Sequence, residues 1–151
     1  MKTIDANKFA TRLQELFETM CFVLADPIPQ EEEGAMEEDF AAHIRLWNEE
    51  AARTLSLRAS RGFLEEVASG MLGIEPEDLS DEDVEATIFE LANVACGELI
   101  DFLGGEMEQV ECGLPEAGVA RSSASIPEFC RAFDSMGELL EISVTGEDLA
   151  A

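Results

Sequence analysis

An acid and an amide three positions apart, Glu90 and Asn93, are the residues with the clearest potential for chemistry. If the segment is helical, the two side chains are neighbours, with Ala86 and Gly97 one turn away on either side and Asp101 further along. Asn and Gly each destabilise a helix interior, by about 0.5 and 1 kcal/mol relative to Ala. These five residues, here called the acid–amide stripe, would place a carboxylate and an amide on a surface that another backbone can approach closely.

A plainer interpretation of the acid–amide stripe is an ordinary solvated helix face. Isolated helix glycines often have a packing reason, so Gly97 could lie against a neighbouring strand. From periodicity alone this plainer interpretation is the stronger of the two. Other familiar sites are missing from the sequence: His43 is the only histidine, no glycine-rich phosphate loop occurs, and neither acidic run has the residue order of a calcium loop.

The helix that carries the stripe is predicted over residues 83–103. Ser80 or Asp81 is a suitable N-cap, and Gly104 and Gly105 end the segment. The side opposite the stripe is a broad apolar face, formed by Val84, Ile88, Leu91, Ala92, Ala95, Leu99, Phe102 and Leu103. The pattern therefore predicts a helix packed on a core, with the stripe turned outward.

The remaining elements are predicted from the period of the apolar residues. Helices are expected over 5–25 and from Ser60 or Arg61 to Gly73; strands are expected over 40–47, 54–59, 107–114, 128–134 and 139–145. Gly137 suits a tight hairpin turn between the last two strands. This order predicts an α+β fold in which helices pack on a mostly antiparallel sheet. One domain over 1–151 is expected, with an acidic loop at 30–39 and an acidic connector at 74–83.

The formal net charge of −25 excludes several classes of partner. Binding to nucleic acid or to an anionic membrane depends on Lys and Arg, which number only 9 against 34 Asp and Glu. No apolar run approaches the roughly 20 residues that span a bilayer, and the first residues lack a secretory h-region. The four cysteines are scattered without a CxxC pair, which predicts no metal site and small buried apolar residues in a reducing cytoplasm.

The string from Phe89 to Gly97 resembles the E-x-x-N-x-x-x-G signature of the CheC/CheX chemotaxis phosphatases. The preceding segment G-F-L-E-E-V-A-x-x-M-L-G at 62–73 and the order of elements also look like that family, and the similarity in character extends over about 9–144. A single signature copy is typical of the CheX branch, whereas CheC-type proteins typically carry two. The resemblance implies a CheC/CheX-like fold.

The resemblance also implies a function. The substrate would be the phosphoaspartate of a phosphorylated CheY-like receiver domain, whose own site binds Mg²⁺; this chain would need no cofactor of its own. Asn93 would position the attacking water and Glu90 would pair with a receiver lysine, while Ala86, Gly97 and Asp101 would lie against the receiver. The family often has Asp or Ser where Ala86 stands. A homodimer through edge strands and a cytoplasmic location are further expectations.

Two other functions are compatible with the sequence. A module of the same fold could bind receivers or a flagellar-switch component without catalysis, with Ala86 marking lost activity. An acidic decoy for a basic DNA-binding protein would explain the net charge alone, and it predicts strongly salt-sensitive binding.

Overall fold

The computed structural model describes residues 3–28, 39–49, 51–104, 110–118 and 127–147. Within these residues there are three α-helices: α1 (Ala6–Met20), α2 (Arg61–Leu72) and α3 (Asp81–Phe102). The strands are β1 (Asp26–Ile28), β2 (Asp39–Trp47), β3 (Ala52–Ser60), β4 (Glu111–Cys112), β5 (Glu116–Ala117), β6 (Phe129–Ser135) and β7 (Glu138–Glu147). A 3₁₀ turn at Pro76–Asp78 precedes α3.

The strands form one antiparallel sheet in the order β1-β6-β7-β3-β2-β4, and β5 also pairs with β2. The β2–β3 hairpin places Ile44 opposite Leu55, and β3 continues into β7 with Leu55 opposite Val144. Because partners in an antiparallel pair project to the same side, these apolar residues share one face of the sheet. Residues of the three helices cover that face and complete the core.

Phenylalanine rings join the helices to the sheet. Phe17 of α1 lies edge-on to Phe133 of β6, with ring centroids 5.3 Å apart, and it also meets Phe63 of α2 at 6.1 Å. Phe9 contacts Phe129 at 4.9 Å. All five rings are at most 2% exposed, so this cluster fixes α1 and α2 relative to the last hairpin.

The predicted fold class is confirmed, and so is the alternation along β2. Gly137 makes the predicted turn, with a φ of 89°. Helix α1 is shorter than predicted: it ends at Met20, and Phe22 adopts a left-handed backbone with a φ of 55°. The prediction also missed β1, because Pro27 in a short apolar stretch signals a stop; as an edge strand, β1 tolerates a proline.

Other boundaries changed or lie outside the described residues. Of the strand predicted over 107–114, only Glu111–Cys112 is a strand in the described part, and residues 105–109 are outside it. Residues 30–38 of the acidic loop are also outside it, while Asp39 already belongs to β2. The predicted burial is confirmed for Cys21 and Cys96 and is wrong for the other two cysteines: Cys112, on the short edge strand β4, is exposed, and Cys130 is half-buried.

Candidate functional site

Helix α3 begins where the sequence predicts. The Ser80 side chain accepts a hydrogen bond from the Asp83 backbone, and the Asp83 carboxylate accepts one from the Ser80 backbone, which is a complete capping box. Asp81, Glu82 and Asp83 occupy the first turn, where the helix dipole favours negative charge. These local interactions set the register of the whole helix.

One face of α3 is buried on the core, through Val84, Thr87, Ile88, Leu91, Ala92, Ala95, Cys96 and Leu99. On the opposite face, all five members of the acid–amide stripe are exposed. The structure therefore brings Ala86, Glu90, Asn93, Gly97 and Asp101 onto one solvent-facing surface. The amphipathic pattern was sufficient to predict this, because a helix of this length has only one way to bury its apolar side.

Glu90 and Asn93 lie side by side near the middle of the exposed face of α3. Neither side chain has a hydrogen bond or ion pair with another residue in the described part of the chain. A surface carboxylate and amide so placed can both receive an external group without first breaking an internal contact. The amide can donate and accept hydrogen bonds, whereas the carboxylate accepts only.

Gly97 packs against no other element in the part of the chain that the structure describes. A Cβ built at this position would meet no atom within 4 Å among the described residues. The packing of Gly97 against a neighbouring strand, which the plainer interpretation offered, is therefore not seen among the described residues. By contrast, a Cβ at Gly70 of α2 would overlap the carbonyl oxygen of Cys21, so that glycine has an internal structural reason.

Asp101 is tied to α1 by Arg12, a residue that the sequence analysis missed. The Arg12 guanidinium lies 2.6 Å from an Asp101 oxygen and 2.6 Å from a Glu98 oxygen. Asp101, and to a smaller extent Glu98, raise the pKa of Arg12. The Asp101 charge is thus compensated within the molecule. Because Lys and Arg are scarce in this chain, the sequence alone could have drawn attention to Arg12. Its partners could not be predicted, because they depend on how α1 packs on α3.

Other clusters of polar groups lie away from the stripe. His43 contacts the Gly118 carbonyl oxygen at 2.8 Å and a Glu116 oxygen at 3.1 Å, which fastens β5 to β2. A cleft of about 760 Å³ is lined by residues that include Phe22, Leu24, Glu66 and Met136. In the described residues, no group of three or more His, Cys, Asp or Glu is placed to hold a metal ion. None of the helices there is long and apolar enough to span a bilayer.

Solved structures with the same architecture belong to the CheC/CheX-like class. Chemotaxis protein CheX from Vibrio vulnificus has a TM-score of 0.73 and 18% identity, with 97% of this chain and 99% of that chain covered. A CheC-like superfamily protein from Shewanella sp. PV-4 has a TM-score of 0.74 and 20% identity, with 94% and 96% covered. Three helices on an antiparallel sheet of this order therefore define a CheC/CheX-like fold.

The family itself is shown by the sequence. The family model described as Chemotaxis phosphatase CheX matches residues 47–139, which is more than half of the chain and includes the whole acid–amide stripe. The chain belongs to the CheX family, and the predicted resemblance is confirmed. No protein with a curated description is similar enough in sequence to match.

Two further solved structures share the fold. The crystal structure of the CheX–CheY–BeF3–Mg²⁺ complex from Borrelia burgdorferi matches with a TM-score of 0.73 and 13% identity, with 97% of this chain and 100% of that chain covered. The FliM middle domain from H. pylori matches with a TM-score of 0.53 and 10% identity, with 91% and 84% covered. At these identities both structures establish a shared fold.

Proposed function

We propose that this chain hydrolyses the phosphoaspartate of a CheY-like receiver domain, and that Asn93 and Glu90 carry the activity. The observation that supports this most directly is the exposed pair on α3, which has no partner in the described part of the chain and is flanked by Ala86 and Gly97. Membership of the chemotaxis phosphatase family and the likeness to a CheX that was crystallised with CheY support the same substrate.

The proposed chemistry is in-line attack of water on the phosphoryl group. The water oxygen forms a bond to phosphorus while the bond from phosphorus to the aspartate oxygen breaks, giving inorganic phosphate and a free carboxylate. The transition state is loose, so catalysis depends on positioning and charge stabilisation. Mg²⁺ held by the receiver would stabilise the charge on the phosphoryl oxygens.

Asn93 suits the positioning role because its neutral amide can donate to and accept from one water molecule without bringing negative charge to the phosphoryl group. Aligning a single water is worth about 3 kcal/mol, or roughly a hundredfold in rate. Glu90 suits a different role. The Glu90 carboxylate, three positions before Asn93, would pair with a cation of the receiver. This ion pair would fix the position in which the receiver docks on α3.

The electrostatics of the surface support docking of an acidic receiver at this place. Arg12 compensates Asp101 and Glu98 at one end of the stripe, so the negative charge that faces a partner there is reduced. The centre of the stripe, from Asn93 to Gly97, contributes a neutral amide and a bare backbone. A partner can therefore approach this part of a strongly acidic chain with less repulsion.

The test is the rate of phosphate loss from a phosphorylated receiver. Asn93→Ala and Glu90→Ala should each lower the rate, Asn93→Ala by about a hundredfold. Glu85→Ala is the matched control, since Glu85 is exposed on the same helix but 140° from Glu90 at 100° per residue; its rate should equal that of the wild type. Equal rates in all the variants would overturn the catalytic assignment.

A second candidate function is receiver binding without catalysis, in the manner of a flagellar-switch component. Two observations favour it: Ala86 is an exposed alanine where the family often has Asp or Ser, and the FliM middle domain shares the fold. Binding of the phosphorylated receiver with no acceleration of phosphate loss would select this function. Recovery of activity in Ala86→Asp would then identify the missing group.

We also propose a homodimer formed through edge strands. The short strands β1 on one side of the sheet and β4 and β5 on the other leave main-chain groups of the edges available for pairing. Light scattering on the purified chain would decide this, and a monomer mass across the accessible concentration range would reject it.

A further inference from the structure

Cys96 and Cys112 come from different elements, α3 and β4, and the structure brings them to the same side of the sheet. Cys112 of β4 pairs in register with Leu46 of β2, and antiparallel partners project to the same side of a sheet. Leu46 is fully buried on the side covered by the helices, so Cys112 projects to that side too. Helix α3 packs there, and Cys96 lies on its buried face. The Cys112 side chain lies near enough to Cys96 to help raise the pKa of its thiol.

The two thiols differ in their access to solvent. Cys112 is exposed, whereas Cys96 is only 1% exposed. Burial, with a smaller effect from the neighbouring Cys112, raises the pKa of Cys96 well above the ordinary thiol value. A dissolved oxidant therefore meets Cys112 first, and Cys96 lies behind it, shielded from solvent.

We propose that Cys96 and Cys112 are a redox pair that closes to an intramolecular disulfide in the presence of a peroxide. This site is independent of the proposed phosphatase activity. Because thiol pairs in reducing compartments are mostly transient or redox-sensing rather than structural, the disulfide would be reversible. It would covalently connect β4 to the helix that carries the acid–amide stripe, one residue before Gly97.

The reaction balances in two steps. The sulfur of Cys112 attacks one oxygen of hydrogen peroxide, the O–O bond breaks, and a sulfenic acid and one water are formed. The sulfur of Cys96 then attacks the Cys112 sulfur; the S–S bond forms, the S–O bond breaks, and the thiol proton of Cys96 leaves with the hydroxyl group as a second water. Two thiols are oxidised by two electrons in total, and the peroxide is reduced to two waters.

The other two cysteines provide internal controls. Cys21 is fully buried, and burial raises its pKa to about 11. Cys130 is half-buried on β6, on the far side of β7 and β3 from β2. Neither is placed to compete for Cys112 within the same chain, so a selective reaction identifies the pair.

The experiment treats the reduced full chain with hydrogen peroxide, blocks the remaining thiols with iodoacetamide and maps the cysteines by mass spectrometry. Trypsin is unsuitable, because residues 62–120 contain no Lys or Arg and both cysteines stay on one peptide. A Glu-specific protease cuts between them. The expected result is a cross-linked pair of peptides containing Cys96 and Cys112, two thiols lost of the four, and full recovery with dithiothreitol.

Variants make the result decisive. In Cys112→Ser, which changes an exposed residue and leaves the core intact, the cross-link and the loss of two thiols should disappear. Cys130→Ser is the matched control and should form the cross-link as the wild type does. The proposal is overturned if Cys112 of the wild type ends as a sulfinic acid with Cys96 still reduced, or if the main product is a Cys112-linked dimer.

Discussion

Replacing Gly97 with alanine should make this protein more stable. A glycine in a helix interior is less favourable than alanine by about 0.8–1.0 kcal/mol, and Gly97 lies well inside α3. A Cβ there meets no described atom within 4 Å, so no clash subtracts from this gain. Gly97→Ala should therefore raise the free energy of unfolding by about 0.8–1.0 kcal/mol and Tm by about 2–4 °C.

Gly70→Ala is the matched comparison for this stability measurement. Gly70 is also inside a helix, but its Cβ would overlap the Cys21 carbonyl oxygen, which is backbone and cannot move aside easily. This substitution should lower the free energy of unfolding in spite of the same gain in helix propensity. Chemical denaturation of both variants measures whether each substitution raises or lowers the free energy of unfolding. A Gly97→Ala variant that is less stable than the wild type would refute the reasoning about open space.

A larger side chain at Gly97 tests whether a receiver docks on the acid–amide stripe. Gly97→Leu adds bulk to the centre of the acid–amide stripe. It should not weaken α3 itself, because leucine has a higher helix propensity than glycine. If a receiver backbone comes close to Gly97, affinity for the phosphorylated receiver, measured by fluorescence titration, should fall at least tenfold, and phosphate loss should slow with it. Wild-type affinity and rate in a folded Gly97→Leu variant would show that the partner does not use this surface.

Three further predictions concern the parts of the fold that support the site. Ser80→Ala removes the N-cap of α3 and should lower the free energy of unfolding by about 1 kcal/mol; no change in urea denaturation would mean that the capping box contributes nothing. Phe17→Ala empties a fully buried ring site and should cost about 3–5 kcal/mol, whereas the same change at the exposed Phe22 should cost far less. Burial, and to a lesser extent the nearby Glu138 and Asp134, raise the pKa of Glu66, so the folded chain holds that proton more tightly and loses stability as the pH rises. Glu66→Gln should therefore be the more stable protein at pH 7, and the difference in the free energy of unfolding should shrink toward zero below the ordinary pKa of 4.5. A constant difference across this range would contradict the assignment.

The acid–amide stripe was predictable because it depends on one helix. The spacing of apolar residues in 83–103 fixes which side of α3 is buried, and Ser80 fixes where the helix starts. Both are local properties, and each was confirmed by the structure. The alternation along β2 was predictable for the same reason, since the side chains of a strand alternate between faces whatever its partners are.

The sequence by itself thus determined the fold class, the family and the surface on which Glu90 and Asn93 are exposed. Tertiary structure decided what surrounds them. The ion pair from Arg12 to Asp101 joins residues 89 positions apart, and the placement of Cys112 on the same side of the sheet as Cys96 depends on a two-residue strand adding to the edge of β2. Open space beside Gly97 also became known only from the packed molecule. Periodicity reports which way a side chain points, whereas the identity of its neighbour depends on long-range packing that no local pattern contains.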